Sequence, residues 1–255
     1  KVLFILAPIV IFVSVYLGFA ALPWAPGLIP SSLNLGLFYI FAILSIETLG
    51  ILMAGWGSNN KYALLGSMRS VAQMISYEIP AGVALISAVM IAQSLNLQEI
   101  SIKQGILSTE QVYFLGIWEV KSVGGFLAWN VFQAPHLIVA YIIYFIASLA
   151  ECNRAPFDIP EAESELVGGF HVEYSGLRFA FIFLAEYSMM FLVGMIGVVL
   201  FLGGWNTPLP NIGPAKLALW TSGMGWGIFW ILIKTLAVVA LQIWIRWTLP
   251  RLRVD

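Results

Sequence analysis

One Cys and two His in 255 residues leave too few ligands for a metal cluster or a disulfide framework. Any redox centre this chain serves must therefore belong to another chain. Charge is scarce as well: Asp, Glu, Lys and Arg make up 10% of the residues and the formal net charge is −1, so nothing suggests nucleic acid as a partner. Internal repeats and low-complexity tracts are absent, and with them the paired repeats with broken helices that mark many secondary transporters. What the chain has in quantity is apolar surface, at 60% hydrophobic residues with ten Trp. Its apolar runs are long enough to cross a hydrocarbon core of roughly 30 Å, which takes about 20 residues of helix.

The expectation is an all-α, polytopic transmembrane helix bundle forming one integral membrane domain over residues 1–255. Six spans are read at about Val2–Ala21, Leu33–Ala54, Ala72–Ala92, Pro135–Ala150, Phe179–Leu202 and Leu217–Trp244. Lys1 is not an initiator Met and the Val2–Ala21 run lacks the small-residue cleavage site of a signal peptide, so it is read as a span and the numbering as starting inside a longer protein. Turn-forming clusters separate the spans, among them Gly55-Trp56-Gly57-Ser58-Asn59-Asn60 and Gly203-Gly204-Trp205-Asn206-Thr207-Pro208. Between Leu95 and Ala134 the apolar stretches Val112–Ile117 and Phe126–Phe132 are too short to span, which fits an interfacial segment or a hairpin. Lys1, Lys61, Arg69, Arg154, Arg178, Arg246, Arg251 and Arg253 fall on one side of the six-span arrangement, against Lys103, Lys121 and Lys216 on the other. The excess of Lys and Arg puts both ends and the connector 151–178 in the cytoplasm.

That connector carries six of the chain's thirteen acidic residues: Glu151, Asp158, Glu161, Glu163, Glu165 and Glu173. Asp158 followed by Glu161 fits an N-cap with its capping-box partner, and a short helix is expected through Ala162–Val167 until Gly168-Gly169 ends it. Capping alone accounts for acids in a first turn. It does not account for Glu161 and Glu165, which repel at i and i+4, or for Glu163 beside them. Arg154 precedes Pro156 in a stretch biased to extended backbone, where its planar fork can pair with a carboxylate or a polar head group.

Five ionisable groups fall inside or at the ends of the apolar stretches: Glu47, Glu78, Glu151, Glu186 and Lys234. Each costs on the order of 2.5–3.5 kcal/mol at a helix centre on insertion scales, so such residues face a cavity or a partner and mark ion or proton pathways. Glu78 and Glu151 lie close enough to span ends for an interfacial, solvated reading, and Lys234 can pair with a carboxylate or snorkel.

Several polar motifs then carry a resemblance. Asn59-Asn60-Lys61-Tyr62-Ala63-Leu64-Leu65-Gly66, Ser76-Tyr77-Glu78, the stretch from Glu151 to Gly176, Glu186-Tyr187, and Arg246 with Leu249-Pro250-Arg251 occur in order along the chain. Together they resemble the H subunit of respiratory complex I, the proton-pumping NADH:quinone oxidoreductase, whose mitochondrial counterpart is NADH dehydrogenase subunit 1. Members of that family have about eight helices, with one more before the equivalent of Val2 and one after that of Asp255. The resemblance implies a membrane subunit that forms part of the quinone chamber and couples quinone reduction to proton translocation. By position, Glu78, Glu151 and Glu186 match the family's buried acids, while Asp158, Glu161, Glu163, Glu165 and Glu173 match the loop acids by the quinone cavity and Arg154 its loop arginine. Glu47 falls at a more variable position.

The resemblance further implies that no cofactor is bound by this chain, that quinone is the substrate, and that FMN and iron–sulfur clusters reside in partner subunits. Partners would be the soluble quinone-site and terminal iron–sulfur subunits, the small adjacent membrane subunits, and lipid. The location would be a bacterial inner membrane or an organellar one. Two alternatives stand beside this reading: the homologous membrane subunit of an energy-converting hydrogenase or formate hydrogenlyase, and a proton or ion transporter.

Overall fold

The structure is a computed structural model and describes residues 2–105, 113–116, 118–119, 123–158, 168–211 and 217–250. Helix α1 (Val2–Gly18) continues into a 3-10 turn at Phe19–Ala21, and α2 (Gly36–Gly57) returns beside it. Helix α3 (Lys61–Ala92) is followed by the short α4 (Leu97–Lys103), an antiparallel pair of two-residue strands, β1 (Tyr113–Phe114) and β2 (Trp118–Glu119), and the single turn α5 (Asn130–Gln133). Then come α6 (Pro135–Glu151), α7 (Leu177–Phe201), the single turn α8 (Leu217–Trp220) and α9 (Met224–Thr248). The stretch between Leu95 and Ala134 thus holds a small hairpin among short helical turns.

Five stretches are long and apolar enough to cross a membrane, among them α1 with its 3-10 extension; α6 is apolar but has 17 residues. At 1.5 Å per residue α6 reaches about 26 Å, slightly under the core thickness. Helix α3 has 32 residues and reaches about 48 Å, so it begins eleven residues before the Ala72 start read from hydropathy. Apolarity marks only the part of a helix that lipid selects; hydrogen bonding carries it further. The Leu217–Trp244 span is corrected: Thr221-Ser222-Gly223 interrupts it, with Gly223 in extended backbone, so α8 and α9 are separate. Side chains that compete for backbone bonds, followed by a glycine, end the first turn before it propagates.

The core centres on α7, whose residues from Leu192 to Phe201 are all buried, while α1 and α9 flank it. Helices α1 and α2 approach closely at Gly50, where an added Cβ would lie 2.7 Å from Ile11 Cγ1. In lipid, where no solvent drives helices together, such small contact residues allow the backbone approach that holds a bundle. Large apolar side chains on the outer faces, such as Phe38, Met90, Trp220 and Trp247, are exposed.

The far end of α7 is closed by side chains. The Gln104 amide donates to Val199 O (2.8 Å) and its carbonyl accepts from Gly203 N (2.9 Å) and Asn130 N (3.2 Å), while Asn130 donates to Leu200 O (2.8 Å). These satisfy terminal carbonyls that a helix leaves without partners.

Candidate functional site: a carboxylate cavity at the connector

The site forms where α2, α6 and α7 meet the chain that leaves α6. Asn60 starts it locally: its side-chain oxygen accepts from Tyr62 N at 3.0 Å and caps α3, while its amide donates to Glu173 Oε1 at 2.9 Å. The cap of one helix therefore also tethers the connector. Further along α3, Gly66 meets Gly169 so closely that a Cβ would lie 2.8 Å from Gly169 Cα, and this seats the 3-10 turn Gly169–His171 against α3. Tyr174 then stacks on Phe4 at 4.3 Å; burial pushes its phenol up to about 12.

Gln73 on α3 is the second tether. Its amide nitrogen donates to Ala150 O (2.7 Å) and Phe157 O (2.8 Å), closing the loop on both sides of Arg154. Arg154 is thereby directed to α7, where Nη2 meets Glu186 Oε2 at 2.9 Å and the guanidinium lies 4.7 Å over the Tyr187 ring. His171 Nε2 stands 2.9 Å from the other carboxylate oxygen, Oε1. Both side chains of the Arg154–Glu186 pair are largely buried, at 6% and 15% exposure. Removing either partner of such a pair costs about 3–5 kcal/mol, because the other charge is stranded.

Glu47, Glu151 and Glu186 line one small cavity of about 10 Å³, together with Cys152, Asn153 and an apolar rim that includes Ile11 and Met189. Space of that order admits about one water. Glu47 Oε2 is buried there without a hydrogen-bond partner among the described residues. Burial, then the neighbouring Glu151 charge, push the Cys152 thiol up, so it stays a neutral lining group. Glu151 is within electrostatic reach of Glu78, which sits on α3 and accepts from Ser45 Oγ at 2.9 Å. Glu47 is likewise within reach of Glu151 and Glu186. The four carboxylates thus form one electrostatically connected set, with Arg154 as the guanidinium bonded to it.

The structure brings together Glu47, Glu151, Glu186 and Arg154, and places Glu78 next in the series. Glu173 is exposed and bound to Asn60. Asp158 lies at the edge of the loop, half-buried. Glu161, Glu163, Glu165 and the short helix expected through Ala162–Val167 fall outside the described residues. Lys234 is not gathered with the acids: it is buried at the opposite end of α7, donating to Leu202 O (2.8 Å), Gly204 O (3.0 Å) and Asn206 O (2.6 Å). Sequence reasoning passed over Gln73, His171 and Tyr187 as site residues. A visible signal existed for His171, one of only two His in the chain and set inside its most acidic stretch; for Gln73 there was none, because its two acceptors are backbone carbonyls far along the chain.

Among known proteins, the family model for NADH dehydrogenase matches residues 1–255. The chain is 53% identical, over 271 aligned positions, to the second H subunit of the NADH-quinone oxidoreductase of Cytophaga hutchinsonii, covering 100% of this chain and 74% of that protein. It is 54% identical to the NADH-quinone oxidoreductase H subunit of Chlorobium luteolum (100% of this chain, 64% of that protein) and 42% identical to that of Bacteroides fragilis (100% and 65%).

Proposed function

This chain belongs to the NADH dehydrogenase family, and from that premise we propose that it forms the membrane side of a quinone chamber and couples quinone reduction to proton translocation through its buried carboxylates. The observation that carries the proposal is the convergence of Glu47, Glu151 and Glu186 on one cavity, with Arg154 fixed to Glu186 at 2.9 Å. A fixed cation beside titratable acids in a largely apolar surround lets one protonation event shift the proton affinity of the next.

The FMN and the iron–sulfur clusters belong to partner subunits, a cluster in a neighbouring soluble subunit supplies the electrons, and the quinone takes up protons as it becomes quinol. The acids of the connector, Asp158, Glu161, Glu163, Glu165 and Glu173, lend or relay those protons. Their changed charge is felt at Glu186 and Glu47, then at Glu151 and Glu78, and so passes along the membrane arm. Arg154 anchors the entrance by holding Glu186 and covering Tyr187. The surroundings are other membrane and soluble subunits of an NADH:quinone oxidoreductase in a bacterial inner membrane, and no redox group is held by this chain itself.

The deciding experiment replaces Glu186 or Glu151 by Gln in the assembled complex and measures quinone reduction and proton pumping together. Gln keeps the shape but cannot exchange a proton, so both activities should fall in parallel while assembly persists. Near-normal pumping in both variants would defeat the proposal.

A further inference from the structure

Glu186 is held from two sides by groups of different chemistry. Arg154 bonds Oε2 and keeps its charge at any working pH, whereas His171 faces Oε1 at 2.9 Å and can change its charge. The imidazole is well placed for this: its side chain is 11% exposed, it lies against Phe170 with ring centroids 3.9 Å apart, and it meets the edge of Phe179 at 5.8 Å. The turn that carries it is seated on α3 at Gly66. Phe170, its neighbour in the chain, lines the carboxylate cavity, so the connector reaches that cavity beside the imidazole.

We infer that His171 is the proton-exchanging partner of Glu186, passing protons between the connector and the carboxylate cavity. The inference rests on the coupling role proposed above. In one state an imidazolium donates Nε2–H to the charged Oε1 of Glu186. In the other, that proton has crossed to Oε1 and the neutral imidazole accepts from the carboxylic acid. The proton lost by the ring is the one gained by the carboxyl, and the ring is refilled from the connector. Arg154 remains bonded to Oε2 throughout, so Glu186 keeps its place whichever state it is in.

Of the titratable and charged groups, Glu186 of α7 faces His171 directly and is itself bonded by Arg154 of the loop after α6, while Glu47 of α2 and Glu151 with Cys152 at the end of α6 line the cavity that Phe170 also lines. Glu173 and Tyr174 follow on its own turn, while α3 meets the turn with Gly66 and leaves Lys61, Tyr62 and Arg69 exposed.

The test is the pH profile of quinone reduction by the assembled complex carrying His171→Gln, with His171→Asn as a second variant should the first assemble poorly. Gln offers an amide donor to Oε1 but cannot exchange a proton. The expected result is a loss of kcat on the order of tenfold with KM for quinone retained, and disappearance of the limb that titrates between about pH 5 and 8. Activity is normalised to NADH oxidation by an artificial acceptor, which counts assembled complexes. A profile and kcat equal to the unmodified complex in both variants would overturn the inference. So would a loss confined to KM. Comparison with Glu186→Gln separates the levels: if that variant is inactive and His171→Gln is normal, only the role of His171 fails, whereas if Glu186→Gln pumps normally, the coupling proposal fails as well.

Discussion

Replacing Lys234 by Met tests whether the buried ammonium secures the fold or takes part in proton coupling. Lys234 is 7% exposed and spends all three of its N–H bonds on Leu202, Gly204 and Asn206 carbonyls, with Trp129 covering it at 4.4 Å. The loop it closes is tight: Gly203 has φ +79°, and a Cβ there would collide with the Trp129 ring. Hydrogen bonds to a charged group contribute about 1.5–3 kcal/mol each, and a cation over a ring about 0.5–2 kcal/mol. Against this stands the cost of burying the ammonium, several kcal/mol, which the Met variant no longer carries. What remains is a loss of about 2–4 kcal/mol, below the ~3–5 kcal/mol of a broken buried ion pair, because neutral carbonyls and not a charge are left unpaired. At about 2–4 °C per kcal/mol for a unit of this size, the midpoint of thermal inactivation should fall by roughly 4–16 °C. The assay is thermal inactivation of the detergent-solubilised complex, with quinone reductase activity and pumping measured below the transition. Retained pumping with the lowered midpoint is expected. An unchanged midpoint accompanied by lost pumping would refute the reasoning and return Lys234 to the proton path.

Two further outcomes follow from the site and the bundle. Arg154→Ala strands the Glu186 carboxylate and uncovers Tyr187, so turnover with bulky hydrophobic quinones should fall at least tenfold while NADH oxidation by an artificial acceptor persists; equal loss of both in assembled complexes would contradict it. Single cysteines near Lys61 and Arg154 should label from the cytoplasmic face of sealed vesicles and those near Lys103 from the opposite face, since Asn60 and Glu173 are bonded to each other while α4 joins the far end of α7. Labelling of positions 103 and 154 from the same side would show that the chain crosses the membrane a different number of times.

Hydropathy was enough to mark the long apolar helices, since a chain in lipid must satisfy its backbone bonds within each segment. It misjudged their ends at α3 and at the break between α8 and α9, because apolarity reports the solvent and not the hydrogen-bond ladder. Buried acids were legible individually for a related reason: each stands out against an apolar run. Their grouping was not. Glu78 and Glu186 are separated by more than 100 residues, and Lys234, which looked like the same kind of group, turned out to meet the end of α7 instead.

By itself, then, the sequence determined the membrane class, the helical fold, the absence of enough Cys and His for a metal cluster, and, through its polar motifs, the family. Each of these depends on composition or on local spacing, and is written along the chain. Only the tertiary structure decided that Glu47, Glu151 and Glu186 share a cavity, that Arg154 and His171 divide the two oxygens of Glu186, and that Lys234 closes a helix end. Those relations depend on the backbone carbonyls that Gln73 reaches and the Glu173 carboxylate that Asn60 reaches across the bundle, and on glycines such as Gly66 that let the connector come close. Such contacts join residues far apart in the chain, and no periodicity in the sequence records them.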